Sequence, residues 1–93
     1  MKDQSDTHIL MYRYVPDMLE RRGPYREEHL RRIEELRAAG ALIVAGAYGD
    51  PPRGGLIGVR GRSREEVLAW SDADPYVGAG LVLERSVEPW KLV

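Results

Sequence analysis

Residues 8–48, HILMYRYVPDMLERRGPYREEHLRRIEELRAAGALIVAGAY, indicate the fold class most clearly, because the periodicity of this segment changes twice. Residues 8–15 are rich in β-branched and aromatic side chains and end before a proline, which predicts a first strand. Residues 24–39 predict a helix, since a proline opens it, glutamates lie in its first turns and a glycine follows it. The apolar run over residues 41–48 predicts a second strand.

The remainder of the chain completes a βαββαβ order. Residues 56–60 and 81–87 predict two further strands, and SREE at 63–66 is a capping box that predicts a helix to about residue 72. The pair Asp74-Pro75 ends that helix, because a residue before proline disfavours helical geometry. Right-handed crossovers then predict a ferredoxin-like α+β fold: a four-stranded antiparallel sheet, the third strand between the first and second, and both helices on one face.

Composition restricts the class of protein. The 93 residues predict a single domain, 1–93, with a disordered tail over residues 1–6 that is too polar for a signal peptide. No apolar run reaches the roughly 20 residues of a membrane span, so we expect a soluble, cytoplasmic protein. The sequence contains no cysteine, so disulfides and thiolate metal sites are excluded. Its 14 basic and 15 acidic residues leave no excess of positive charge, which argues against a nucleic-acid partner.

The strands also predict self-association. In the first strand, Ile9, Met11 and Val15 alternate with Leu10, Tyr12 and Tyr14, so both faces of the strand are apolar. A sheet covered on one face normally alternates apolar and polar residues, and two helices cover only one face. A second copy related by a twofold axis would cover the other. We therefore expect a homodimer that forms through the sheet face.

His29 is the first candidate for chemistry. On a helical wheel it falls among Tyr25, Ile33 and Leu36, with Leu30 at the edge, which predicts a buried stripe. A histidine there is either a core residue with satisfied hydrogen bonds or a general acid/base whose protonation is tuned by its surroundings. The other histidine, His8, is expected at the surface or at a sheet edge.

Asp74 could orient His29, because a carboxylate fixes the tautomer of a histidine base, although aspartate before proline also commonly starts a turn. Arg26, one turn before His29, could hold an anionic substrate group or simply lie along the surface. Tyr14, Tyr48 and Tyr76 could line a pocket or serve as packing groups. The ligands for a metal site and the motifs for a nucleotide cofactor are missing, so we expect neither.

Several segments together resemble the YCII-related (YciI-like) family of small bacterial proteins. They are YVPD at 14–17, REEHL at 26–30, GALIVAG at 40–46, SREEVLAW at 63–70, DPYVGAG at 74–80 and EPW at 88–90. The resemblance implies a dimeric α+β barrel and a histidine/aspartate site at His29 and Asp74. At least one branch looks like a dehydrochlorinase of chlorinated-aromatic degradation. This chain has Gly46-Ala47 where the family often has Gly-Pro, so a substrate is not carried over.

Two functions stay open at this point. In the first, His29 and Asp74 catalyse elimination, isomerisation or hydrolysis of a small, anionic, possibly aromatic molecule without a cofactor. In the second, the same polar groups bind a metabolite and the protein is a non-catalytic or accessory homodimer. The fold does not choose between them, because one fold hosts many functions.

Overall fold

The computed structural model describes residues 6–93, which form a four-stranded antiparallel sheet with helices packed on one face. The strands lie in the order β2-β3-β1-β4, so the predicted ferredoxin-like α+β fold is confirmed, with β3 between β1 and β2. In chain order the elements are β1 (Thr7–Tyr14), α1 (Met18–Arg21), α2 (Gly23–Ala38), β2 (Leu42–Tyr48), β3 (Gly54–Arg60), α3 (Arg64–Asp72), α4 (Pro75–Gly78) and β4 (Val82–Pro89).

The ends of the elements follow from local chemistry. Helix α3 begins with the predicted capping box: the Ser63 side chain accepts from the Glu66 N–H, and the Glu66 side chain accepts from the Ser63 N–H. After α3, the segment for which the sequence predicted no element forms the single turn α4. Pro75 is the reason, because its fixed φ suits a first helical position and Asp74 caps the turn.

Cross-strand register decides which side chains face the helices. Leu10 lies opposite Ile57 on β3 and Val87 on β4, and all three are buried. Because side chains alternate along a strand, Tyr12 and Tyr14 share this face with Leu10. The helix-facing side of the sheet therefore carries the core, together with the buried side chains of α2 and α3.

The other side of the sheet, which we name the open face, is covered by no helix among residues 6–93. It carries Ile9 and Met11 of β1, Leu56 of β3 and Val44 of β2, and the Val44 side chain is 52% exposed. The Trp90 ring lies against Gly58, where any side chain would collide with it. Apolar surface is thus concentrated on a face that residues 6–93 leave partly exposed.

Two expectations need correction. His8, expected at the surface, is only 6% exposed because its position in β1 turns it toward the helices, and its Nδ1 has no hydrogen-bond partner within the described residues. Tyr25, placed in the buried stripe, is 37% exposed at the start of α2. Of the predicted tail, residues 1–5 lie outside the described residues, whereas the Asp6 carbonyl accepts hydrogen bonds from the N–H groups of Gly61 and Arg62.

Within residues 6–93, none of the helices has the length and apolar character needed to cross a lipid bilayer.

Candidate active site

Asp74 is the centre of the site, and the start of α4 holds it in place. Its backbone is extended at the N-cap, and its Oδ1 accepts a hydrogen bond from the Tyr76 N–H at 3.0 Å. The residue is only 1% exposed. A buried carboxylate is costly unless it is hydrogen-bonded or paired, so its other partners decide what it does.

The main partner of Asp74 is His29, on the buried face of α2. Its Nδ1 lies 3.0 Å from each Asp74 oxygen, and the histidine is 5% exposed. The imidazole also stacks on the Tyr76 ring, with centroids 3.8 Å apart. Burial raises the pKa of Asp74, but hydrogen bonding and the charge of His29, with the Tyr76 N–H and the Tyr12 hydroxyl, outweigh it and hold that pKa below its usual range.

This geometry assigns roles to the two ring nitrogens. An ionised carboxylate only accepts hydrogen bonds, so Nδ1 carries a proton and donates a hydrogen bond to Asp74. The other nitrogen, Nε2, is then the atom available to exchange a proton with another molecule. The structure therefore brings together the two residues that the sequence paired, in the arrangement of an oriented histidine base.

Sequence reasoning did not find Tyr12 as a member of the site. Its hydroxyl donates to Asp74 Oδ2 at 2.8 Å and lies 3.1 Å from the Ser71 hydroxyl, while Arg85 donates to Ser71 Oγ at 2.9 Å and pairs with Asp72. Arginine can only donate, so the Ser71 hydroxyl accepts a hydrogen bond from Arg85 and donates one to the Tyr12 oxygen. The Tyr12 hydroxyl is thereby directed at Asp74, and burial raises the Tyr12 pKa far above its ordinary value.

The sequence pattern indicates that Ser71 needs a hydrogen-bond partner, but it does not identify that partner. Ser71 lies four residues after Val67 on α3, which places both on one helix face. A polar residue on that buried face needs a partner. The partner could not be named, because Tyr12 is 59 residues away in sequence.

Beside His29 lies a cavity of about 310 Å³ between α2 and strands β2 and β3. Tyr14 lies over Gly55, where a Cβ atom would collide with its hydroxyl, so the glycine makes room for the ring. Burial, together with Tyr76 and Asp74, raises the pKa of Tyr14 to about 12. The lining includes Tyr12, Tyr14, Arg22, Arg26, His29, Leu30, Ile33, Ala45, Ala47, Gly55 and Tyr76.

Two of the predicted binding residues, Arg26 and Tyr48, lie in different places relative to the cavity. Arg26 lines the cavity, and its Nη1 is 3.5 Å from the Tyr76 hydroxyl. Tyr48 does not line it, because its position opposite Gly54 turns the ring to the open face, where it packs against Gly54 and Arg53. The structure therefore groups Tyr14 and Tyr76 with His29 and separates Tyr48 from them.

The described residues, 6–93, contain no group of three or more histidine, cysteine, aspartate or glutamate side chains arranged to hold a metal ion. The polar groups that line the cavity are the His29 imidazole, the Glu34 carboxylate, tyrosine hydroxyls and guanidinium groups, and Asp74 contacts the cavity only through its hydrogen bond with His29. Such groups can transfer protons and bind negatively charged atoms.

Comparison with known proteins places these features in a family. Protein YciI of Escherichia coli O6:H1 is 40% identical over 86 residues, covering 83% of this chain and 88% of that protein. An uncharacterised protein of Haemophilus influenzae is 34% identical over 95 residues, covering 92% and 97% respectively.

A solved structure is also similar: 5-chloro-2-hydroxyhydroquinone dehydrochlorinase of Burkholderia phenoliruptrix AC1100 in complex with 2,5-dihydroxybenzoquinone. Its TM-score is 0.79 at 25% identity, covering 94% of this chain and 95% of that chain. The model of the YCII-related domain matches residues 7–91. The chain therefore belongs to the YCII-related family.

Proposed function

We propose that this protein is a small-molecule enzyme in which His29 is the general acid/base and Asp74 orients it. The observation that carries the proposal is the buried His29–Asp74 pair, with both oxygens 3.0 Å from Nδ1, at the wall of a cavity of about 310 Å³. A cavity of that volume is at the lower end of the range of ligand sites. The similar solved structure is a dehydrochlorinase, which supports an enzymatic role.

The chemistry is a proton transfer that drives elimination, isomerisation or hydrolysis. His29 Nε2 removes a proton from the substrate in elimination or isomerisation, and from the attacking water in hydrolysis, and the Asp74 carboxylate stabilises the imidazolium that forms. The same nitrogen then returns the proton to the leaving group or to another atom of the product. General acid/base catalysis of this kind contributes about 10²–10⁴-fold to the rate.

The remaining lining residues would bind the substrate. Arg26 would hold a negatively charged group, and Tyr14 and Tyr76 would contact the body of the molecule from the cavity wall. The related dehydrochlorinase is complexed with a dihydroxylated quinone, and a single ring of this kind suits the cavity of this chain. Tyr12 would keep Asp74 in place rather than touch the substrate, because its hydroxyl is engaged by Asp74 and Ser71.

The test is turnover of hydroxylated and chlorinated single-ring compounds, followed by chloride release and by changes in absorbance. We expect the wild-type protein to convert at least one of them, and His29→Gln and Asp74→Asn to lose about 100-fold or more of kcat. Glu27→Gln is the matched control, since Glu27 is an exposed residue on the same helix. Undiminished turnover by His29→Gln would refute the assignment of His29.

The exposed apolar residues of the open face support a second proposal, which concerns assembly. We propose that two copies pair through the open face, because Ile9, Met11, Val44 and Leu56 leave apolar surface there that no helix of the described chain covers. Light scattering should give twice the 10.5 kDa mass of one chain. A mass of one chain at micromolar concentration would remove this proposal without touching the chemistry of His29.

The non-catalytic alternative makes a different prediction for the same experiments. Under it, ring compounds would bind in the cavity and none would be converted by the dimer. A cytoplasmic location and independence from a cofactor stay predictions from the sequence.

A further inference from the structure

The charged side chains of α2 form ion pairs toward its C-terminal end, whereas two arginines near its N-terminal end form none among the described residues. Toward the C-terminal end, Arg31 pairs with Glu28 and Glu35, and Arg37 pairs with Glu34. These exposed pairs follow the three- and four-residue spacing that brings side chains together on a helix. The charged surface of this half of the helix is therefore largely neutralised within the chain.

Arg22 and Arg26, at the N-terminal end, have no such partners. Among residues 6–93, no carboxylate lies within ion-pair distance of either guanidinium, although Glu27 is close in sequence. The two arginines are four residues apart, a spacing at which like charges repel each other on a helix. Two adjacent cations without a counter-charge are a feature that folding alone does not favour.

Both arginines line the cavity that contains His29. Arg26 is within 3.5 Å of the Tyr76 hydroxyl, and Tyr76 stacks on His29. The charges of Arg22 and Arg26 both reach Tyr14, where they oppose the rise that burial imposes on its pKa. The guanidinium groups of Arg22 and Arg26 thus border one space with tyrosine hydroxyls and the imidazole. A third arginine, Arg37, also lines the cavity, but its charge is paired there with Glu34.

We infer that Arg22 and Arg26 form an anion-binding subsite of the His29 cavity, and that the molecule it selects is a single-ring organic carboxylate. The inference rests on the proposed function for the position of the reacting centre and adds the class of substrate. A carboxylate has two oxygens, and two planar guanidinium groups can donate to both of them. A phenolate offers one oxygen and would leave part of that donor set unused.

The shape of the cavity supports a ring. The part of the sheet that borders it carries small residues, Ala45, Ala47 and Gly55, and α2 contributes Leu30 and Ile33. A flat apolar ring can lie between such surfaces with its carboxylate at the arginines. The volume of about 310 Å³ accommodates one ring with substituents.

The experiment measures binding of benzoate by ¹H–¹⁵N NMR titration, with benzamide as a neutral analogue of the same shape. We expect benzoate to bind at least tenfold more tightly than benzamide and to shift signals of cavity residues. Arg22→Gln and Arg26→Gln should each weaken benzoate binding about tenfold, since a charge-assisted hydrogen bond contributes that much or more, and leave benzamide binding unchanged.

Arg60→Gln is the matched control, because it removes one positive charge from an exposed arginine that does not line the cavity. Its affinity for benzoate should equal that of the wild type. Equal binding of benzoate and benzamide, no binding of benzoate, or an equal loss in Arg60→Gln would each overturn the subsite. Tighter binding of phenolate than of benzoate would overturn the choice of a carboxylate.

His29→Gln separates this inference from the proposed function. The variant should still bind benzoate in an arginine-dependent way while losing turnover. Arginine-dependent binding without turnover of any ring compound by the wild type would leave the subsite standing and would count against catalysis by His29.

Discussion

The two faces of the sheet differ in how they treat polar groups. The helix-facing side buries Tyr12, Ser71 and Asp74 almost completely, and each has a hydrogen-bond partner within the chain. The open face instead leaves apolar side chains such as Val44 and Leu56 exposed. One set of strands can therefore carry the proposed site on one side and the proposed dimer surface on the other, because alternate residues point to opposite sides.

The largest loss of stability should come from removing the central acceptor of the hydrogen-bond network on the helix-facing side of the sheet. Asp74→Ala leaves the donors of Tyr12, His29 and Tyr76 without their acceptor. We expect the free energy of unfolding to fall by about 3 kcal/mol, measured by urea denaturation. Asp72→Ala is the control, since it removes an exposed carboxylate two residues away and should cost about 1 kcal/mol or less. Equal losses in the two variants would contradict the central role given to Asp74.

A charged substitution on the open face should weaken the proposed dimer. Leu56→Asp places a carboxylate in the middle of the open face and should weaken the proposed dimer by at least 30-fold, since central interface residues contribute about 2 kcal/mol or more. Analytical ultracentrifugation over a range of protein concentrations measures this. Leu19→Asp is the control: Leu19 is 48% exposed on α1, away from the sheet, and its substitution should leave the mass unchanged. A dimer unaffected by Leu56→Asp would show that another surface is used.

Acid should weaken the polar side selectively. The pKa of Asp74 in the folded protein lies below its ordinary value of 3.8, so its contribution is present above that pH and is lost as the pH falls through the lowered pKa. The free energy of unfolding should therefore drop below about pH 4, by up to about 1.4 kcal/mol for each unit by which the pKa is lowered. Asp74→Asn should flatten this part of the curve. A wild-type slope retained in that variant would assign the acid sensitivity to other carboxyl groups.

The smallest effect should come from the outer end of the polar network. Ser71→Ala removes the hydroxyl that links Arg85 to Tyr12, and should lower the free energy of unfolding by about 1 kcal/mol. Without that link the Tyr12 hydroxyl is less firmly directed at Asp74. The NMR signal of the proton on His29 Nδ1 should therefore exchange faster with water. Val77→Ala, which changes a half-buried apolar residue nearby, should leave that exchange unchanged.

Local patterns predicted much of the fold and part of the site. Period-two and helical segments, the capping box at Ser63 and the Asp74-Pro75 stop led to the correct order of elements. Helical periodicity also placed His29 among buried residues. The same reasoning failed for Tyr25, because the first turn of α2 lies at the edge of the packed region and leaves that ring exposed.

Periodicity is a local property of the chain, so the four strands, the two longer helices and the inward direction of the His29 imidazole were predictable without a structure. Tertiary contacts were needed to show that Tyr12 faces the helices, that Tyr48 faces the other way and that His8 is buried. The reason is that an alternating strand offers two equivalent faces. Register with neighbouring strands and the side on which the helices pack choose between them, and both depend on contacts between residues far apart in sequence.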